Sequence, residues 1–121
     1  MSKEKKEERV LPIKITDNQT GAVYELDFNR EAISFAEKRK FIPSEVTDFP
    51  EEKFPEIFYY SFRMNHKNMS RAQTDNLYSR LGGFSVEFLE RLLKLYNQAA
   101  MANIVEETED MGKNGNMTVE L

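Results

Sequence analysis

The sequence predicts an α+β fold, mainly α: an N-terminal β-hairpin packed on a bundle of about four helices, with a disordered acidic C-terminal tail. Three observations predict it. Two short segments of period-two hydrophobicity flank a turn-rich stretch near the N-terminus. Capping residues, glycines and prolines then divide residues 29–104 into helical pieces. One of those pieces, residues 54–64 (F-P-E-I-F-Y-Y-S-F-R-M), carries five aromatic residues.

Composition narrows the class. A chain of 121 residues is one domain by length, and it can bury a real core. Its 40% hydrophobic and 31% charged residues are ordinary for a globular protein. There is no cysteine, which removes disulfides, thiolate metal sites and cysteine nucleophiles and fits a reducing compartment. No apolar run reaches the roughly 20 residues of a membrane span, and the charged residues 1–9 do not read as a secretory signal. The net charge of −4 divides into +1 over residues 1–9, −1 over 10–104 and −4 over 105–121. A near-neutral body lacks the basic field that draws proteins to phosphate backbones.

The elements follow in order. Residues 1–9 read as a disordered charged leader, 10–104 as the single domain, and 105–121 as a flexible acidic tail. Leu11, Ile13 and Ile15 alternate with Pro12, Lys14 and Thr16, a short strand with its proline at the start. Residues 17–21 (D-N-Q-T-G) have turn chemistry, and alternation resumes over 22–27. A two-stranded hairpin is marginal alone, so it must pack on helices or pair with another chain. Asn29 caps a helix over about 30–40, with Ile33 and Ala36 inward. Pro43 interrupts the pattern. Pro55 suits a first helical turn, so the aromatic helix is expected from about residue 53 or 54 to 67. Ser70 and Gln73 form a capping box for the next helix, and Gly82-Gly83 ends it. Ser85 caps the last and clearest helix, whose apolar half runs from Phe88 to Ile104. The closing 117–121 (M-T-V-E-L) is a β-prone pentapeptide on a tether rich in glycine and asparagine, which reads more simply as a frayed terminus than as a strand added to a partner's sheet edge.

Little in the chain favours catalysis, and no catalytic, cofactor or metal residue is expected. His66, the only histidine, has Asn65, Lys67 and Asn68 beside it, not ligands. Acidic residues are plentiful, yet none stands out as a working pair. Leu81-Gly82-Gly83-Phe84 lacks the residues of a phosphate loop. The helix after it presents Glu87, Glu90, Arg91 and Lys94, a balanced face ill suited to a DNA groove.

A binding protein is the remaining reading. Phe54, Phe58 and Phe62 recur at i, i+4 and i+8 and read most simply as core. Tyr59 lies nearly opposite them on a helix and Tyr60 borders their arc, so aromatic surface on both sides suggests a second surface to cover. Met64 and Met69 would make that surface adaptable. Leu95 and Tyr96 belong to an apolar half-cylinder wider than one partner needs, which raises homo-oligomerisation. The candidate partner-binding set is therefore Phe54, Phe58, Tyr59, Tyr60, Phe62, Met64, Met69, Leu95 and Tyr96.

Residues 13–26 (I-K-I-T-D-N-Q-T-G-A-V-Y-E-L), the following D-F-N-R-E-A-I-S-F-A-E, and F-P-E-I-F-Y-Y-S-F-R-M-N-H with its later L-G-G together resemble small tail assembly chaperones of long-tailed phages and prophages of Gram-positive bacteria. The resemblance covers roughly residues 13–104 and rests on layout, with no catalytic motif. It implies a chaperone that binds the long, helical and apolar tape measure protein in the host bacterial cytoplasm, keeps it soluble and is absent from the finished virion. It also implies a longer, frameshifted form that engages the tail tube protein. The rival readings are a structural or connector protein of the phage tail and, behind it, a small nucleic-acid-binding regulator.

Overall fold

The computed structural model describes residues 9–102 and, beyond them, Met117, Thr118 and Glu120. The expected leader up to residue 8, Ile104 and the rest of the tail lie outside the described residues. Strands β1 (Ile13–Thr16) and β2 (Val23–Leu26) form the antiparallel hairpin. Four helices follow: α1 (Arg30–Lys38), α2 (Pro50–Tyr60), α3 (Arg71–Leu81) and α4 (Val86–Met101). A 3₁₀ turn at Pro43–Glu45 joins α1 to α2.

The local chemistry explains most boundaries. Asn29 accepts from the Ala32 N–H and Ser85 from the Phe88 N–H, caps worth about 1 kcal/mol each. The capping box at Ser70 and Gln73 is complete in both directions. Gly82 ends α3 in the left-handed conformation, φ 82°. Helix α2 departs from expectation by starting at Pro50 and holding Pro55 inside. Pro50 occupies the first helical position, where the missing N–H costs nothing. Pro55 then removes one bond of the second turn, which the packing of the helix must offset. The expected extension to residue 67 also fails. After Tyr60 the chain tightens, with Phe62 and Arg63 donating to the carbonyls three residues back at 3.1 Å each.

Helix α2 is the centre of the domain. Ile57 and Tyr60 pack into one cluster with Phe28, Ala36, Phe41, Leu92 and Leu95. Phe58 and, past the helix end, Phe62 pack into a second with Leu26 and Leu77. The hairpin and α3 cover one side, and α1 and α4 the other. The two-sided aromatic surface is thus largely satisfied within the chain, which corrects the expectation of an external surface for most of it.

Candidate functional site

The structure disperses the nine candidate residues. Phe58, Tyr60, Phe62, Leu95 and Tyr96 are all buried, so they hold the core and offer a partner no surface. Phe54, Tyr59, Met64 and Met69 are partly exposed, but on different sides. Phe54 stacks on Phe84 at 5.0 Å, and Phe84 on Phe88 at 4.9 Å, where α2 meets the α3–α4 turn. Met69 packs beside the second cluster. Met64 lines an open groove of about 960 Å³ with Phe28, Arg30, Gln98 and Ala99.

Tyr59 alone belongs to a composite surface, between α1 and α2. Its ring meets Phe35 at 5.9 Å in an edge-on arrangement, and Phe35 in turn meets Tyr60 at 6.0 Å. Phe35 and Tyr59 are half-buried, with arginines around them. The Arg39 and Arg63 guanidinium carbons lie 3.6 and 4.2 Å from the centre of the Phe35 ring. The Arg71 carbon lies 5.9 Å from the Tyr59 ring. Cations at such distances are held by the ring quadrupole. The periodicity of α1 brings Phe35 and Arg39 together as i and i+4 neighbours, and Arg63 follows one turn after Tyr59.

Charge on this face is only partly compensated. Arg71 pairs with Asp75 at 2.9 Å, and Lys67 with Glu31 at 3.0 Å. The Lys67 hydrogen bond and charge, with Arg63 further off, lower the Glu31 carboxyl below its ordinary value. Arg39 donates to the Phe35 carbonyl at 3.1 Å. Arg63 Nε is buried without an acceptor among the described residues. Beneath the face, Tyr60 donates to Glu56 at 2.7 Å, and Glu56 also pairs with Lys53 at 3.3 Å. Burial, then the bond to Glu56, raises the Tyr60 phenol above its ordinary value. The result is an aromatic platform ringed by guanidinium groups.

Two polar clamps fix the hairpin, and the sequence pattern shows neither. Arg80 of α3 grips Asp17 with two parallel bonds of 2.8 and 2.9 Å. Arg80 and the Gln19 N–H hold the Asp17 carboxyl far below its usual range, and Asp17 raises Arg80. His66 accepts the Glu25 N–H on Nε2 at 3.0 Å. Its ring lies 5.3 Å from Tyr24 and 5.9 Å from Phe62. Its role here is structural.

Among the described residues, no group of three or more histidine, aspartate or glutamate side chains is placed to hold a metal. Among them too, no helix is long and apolar enough to cross a membrane. No curated protein and no solved structure matches the chain. A family model does match, over residues 1–121. The chain belongs to the family described as a domain of unknown function, DUF5055.

Proposed function

We propose that this chain is a non-catalytic tail assembly chaperone that binds helical segments of a phage tape measure protein and keeps them soluble in the bacterial cytoplasm. The observation that carries the reading is the α1–α2 face, where Phe35 and Tyr59 stand half-exposed among Arg39, Arg63 and Arg71. Tyrosine and arginine are the side chains most enriched where binding energy concentrates. An amphipathic helix with one apolar anchor and flanking carboxylates meets that chemistry. The resemblance of residues 13–104 to tail assembly chaperones supplies the client.

The test is co-expression with a phage tape measure protein, followed by pull-down and size-exclusion with light scattering. Wild-type chain is expected to yield a soluble complex. Tyr59→Ala and Arg63→Ala are each expected to weaken it about tenfold, as loss of a strong interface residue does, with the free chain still folded. An insoluble client beside wild-type chain, or full capture by both folded variants, would overturn the reading.

A further inference from the structure

We propose that the outer edge of β1 is a surface for a second copy of this chain. Two copies pair β1 against β1, antiparallel about a twofold axis at Ile15, with Lys14 of each opposite Thr16 of the other. The two hairpins then form one four-stranded sheet. The proposal stands without the chaperone reading. It also moves self-association away from the α4 half-cylinder, whose Leu95 and Tyr96 are buried.

The register of the hairpin identifies the open edge. Ile13 faces Leu26, Lys14 Glu25, Ile15 Tyr24 and Thr16 Val23. Asp17 donates to the Ala22 carbonyl at 2.8 Å, so the pairs containing Asp17, Ile15 and Ile13 are the hydrogen-bonded ones. Alternation then turns the backbone groups of Lys14, Thr16, Val23 and Glu25 away from the partner strand.

The two outer edges are treated differently. On β2, the Glu25 N–H goes to His66 and the Glu25 carbonyl accepts from Asn65 at 3.2 Å. One step further, the Asp27 N–H donates to the Ser61 carbonyl at 3.1 Å. That edge is sealed where it leaves the turn behind. On the β1 side, Lys14 and Thr16 are exposed, and among the described residues neither backbone has a partner on the outer side. An open edge of this kind accepts an added strand.

The edge is complementary to itself in one register. Centred on Ile15, twofold pairing lets Lys14 and Thr16 exchange both backbone bonds in each half, so every outward group of the two residues is used. Glu25, Lys14, the second copy's Thr16 and its Val23 then lie in one row across the outer face, with no like charges directly opposite. The other registers do worse. Centred on Lys14, two ammonium groups stand opposite each other and Pro12 faces Thr16 without an N–H to give. Centred on Thr16, Lys14 falls opposite Asn18, which is already in the turn. Centred on Ile13, Thr16 meets Val10, whose backbone groups are both held by the Gln98 amide at 2.8 and 3.3 Å.

Apolar surface surrounds the same edge. Ile15 is only partly buried against the second cluster, and in this register it meets its own copy as a non-hydrogen-bonded pair, where side chains come closest. Exposed Leu81 shares a groove of about 480 Å³ with Ile15. Exposed Leu11 shares another with Glu87, the chain neighbour of exposed Val86. An edge strand rimmed by apolar side chains is what pairing between copies covers. So short a strand buries less than the roughly 1,200 Å² of a standard interface, and the dimer is a weak one, read between about 10 μM and 1 mM.

The experiment is sedimentation equilibrium of the full chain across that range, with residue-resolved amide exchange at its two ends. Wild-type mass should rise toward that of a dimer, and Lys14 and Thr16 N–H should gain protection with concentration while Glu25 N–H does not. Lys14→Pro removes only an outward N–H, which an edge strand tolerates, and should weaken association at least tenfold with the Glu25 amide still protected. Thr16→Glu places a carboxylate opposite Lys14 in both halves and should tighten the dimer about 2- to 30-fold, and Thr16→Lys should weaken it by a similar factor. A wild-type monomer throughout the range would overturn the proposal. So would protection at Lys14 and Thr16 that is independent of concentration, which would assign the edge to this chain's own residues. Undiminished association of folded Lys14→Pro, or Thr16→Glu weakening the dimer as Thr16→Lys does, would overturn the edge and the register respectively.

Discussion

Tyr60 and Tyr96 are both 2% exposed, and the edge of Phe41 lies between them, at 5.1 and 5.4 Å. Their hydroxyls differ. Tyr60 donates to the Glu56 carboxylate at 2.7 Å, whereas the Tyr96 hydroxyl is buried with no partner among the described residues. Replacing each with phenylalanine keeps the ring contacts and removes only the oxygen. Tyr60→Phe loses a hydrogen bond to a charged group, about 1.5–3 kcal/mol, and leaves Glu56 with Lys53. Tyr96→Phe removes an unsatisfied polar group whose burial costs about 1–3 kcal/mol, so it should be neutral or stabilising by about 1 kcal/mol. The pair should therefore separate by about 3 kcal/mol, or roughly 12–24 °C in Tm for a domain of this size. Urea unfolding followed by circular dichroism, with unchanged slope, measures it. A Tyr96→Phe variant less stable than the parent, or two variants within about 0.5 kcal/mol, would refute the assignment of the two hydroxyls.

Further outcomes follow from the same geometry. Burial first, and Glu37 second, push the Tyr96 phenol up to about 12, and Tyr60 is raised as well. Both titrate near 10 when unfolded, so they leave stability unchanged below pH 10 and lower it as pH rises from there through 12, where the unfolded chain ionises first. Tyr96→Phe should flatten that alkaline loss in a pH series of urea melts. Asp17 is shifted the other way, so its contribution is whole above its ordinary value of about 3.9 and fades as pH falls through the lowered one. Asp17→Asn should be less stable at pH 7 and show a shallower acid limb. Gly82→Ala meets no atom within 4 Å, so its cost should be conformational alone, about 1 kcal/mol by thermal melt.

The hairpin, three of the four helix starts and the glycine stop were legible because each rests on neighbours in sequence. Asn29, Ser70 and Ser85 cap the residues that directly follow them. The start of α2 is ambiguous in sequence because Asp48, Pro50 and Glu51 carry a start signal and Pro55 also suits a first turn; the first-turn proline is Pro50. Core and interface aromatics obey one periodicity, so Tyr60, 2% exposed, and half-exposed Tyr59 could not be told apart by spacing. The pairing of Phe35 with Tyr59 and Arg63 depends on how α1 lies against α2, which no local spacing shows. Asp17 and Arg80 are 63 residues apart, and no local pattern connects them.

The Gln98 clamp on Val10 spans 88 residues and therefore sets an order of events on the ribosome. A two-stranded hairpin hardly holds by itself, and its partners arrive in sequence: His66 for Glu25, Arg80 for Asp17, and Gln98 for Val10 last. At about 5–20 residues per second Val10 waits roughly 4–18 s for Gln98. The strands can be clamped to α3 in that interval, and the segment ahead of β1 is the last part to be secured. A ribosome stalled before residue 98 should carry residues 9–12 open to protease while the hairpin and α3 are already protected.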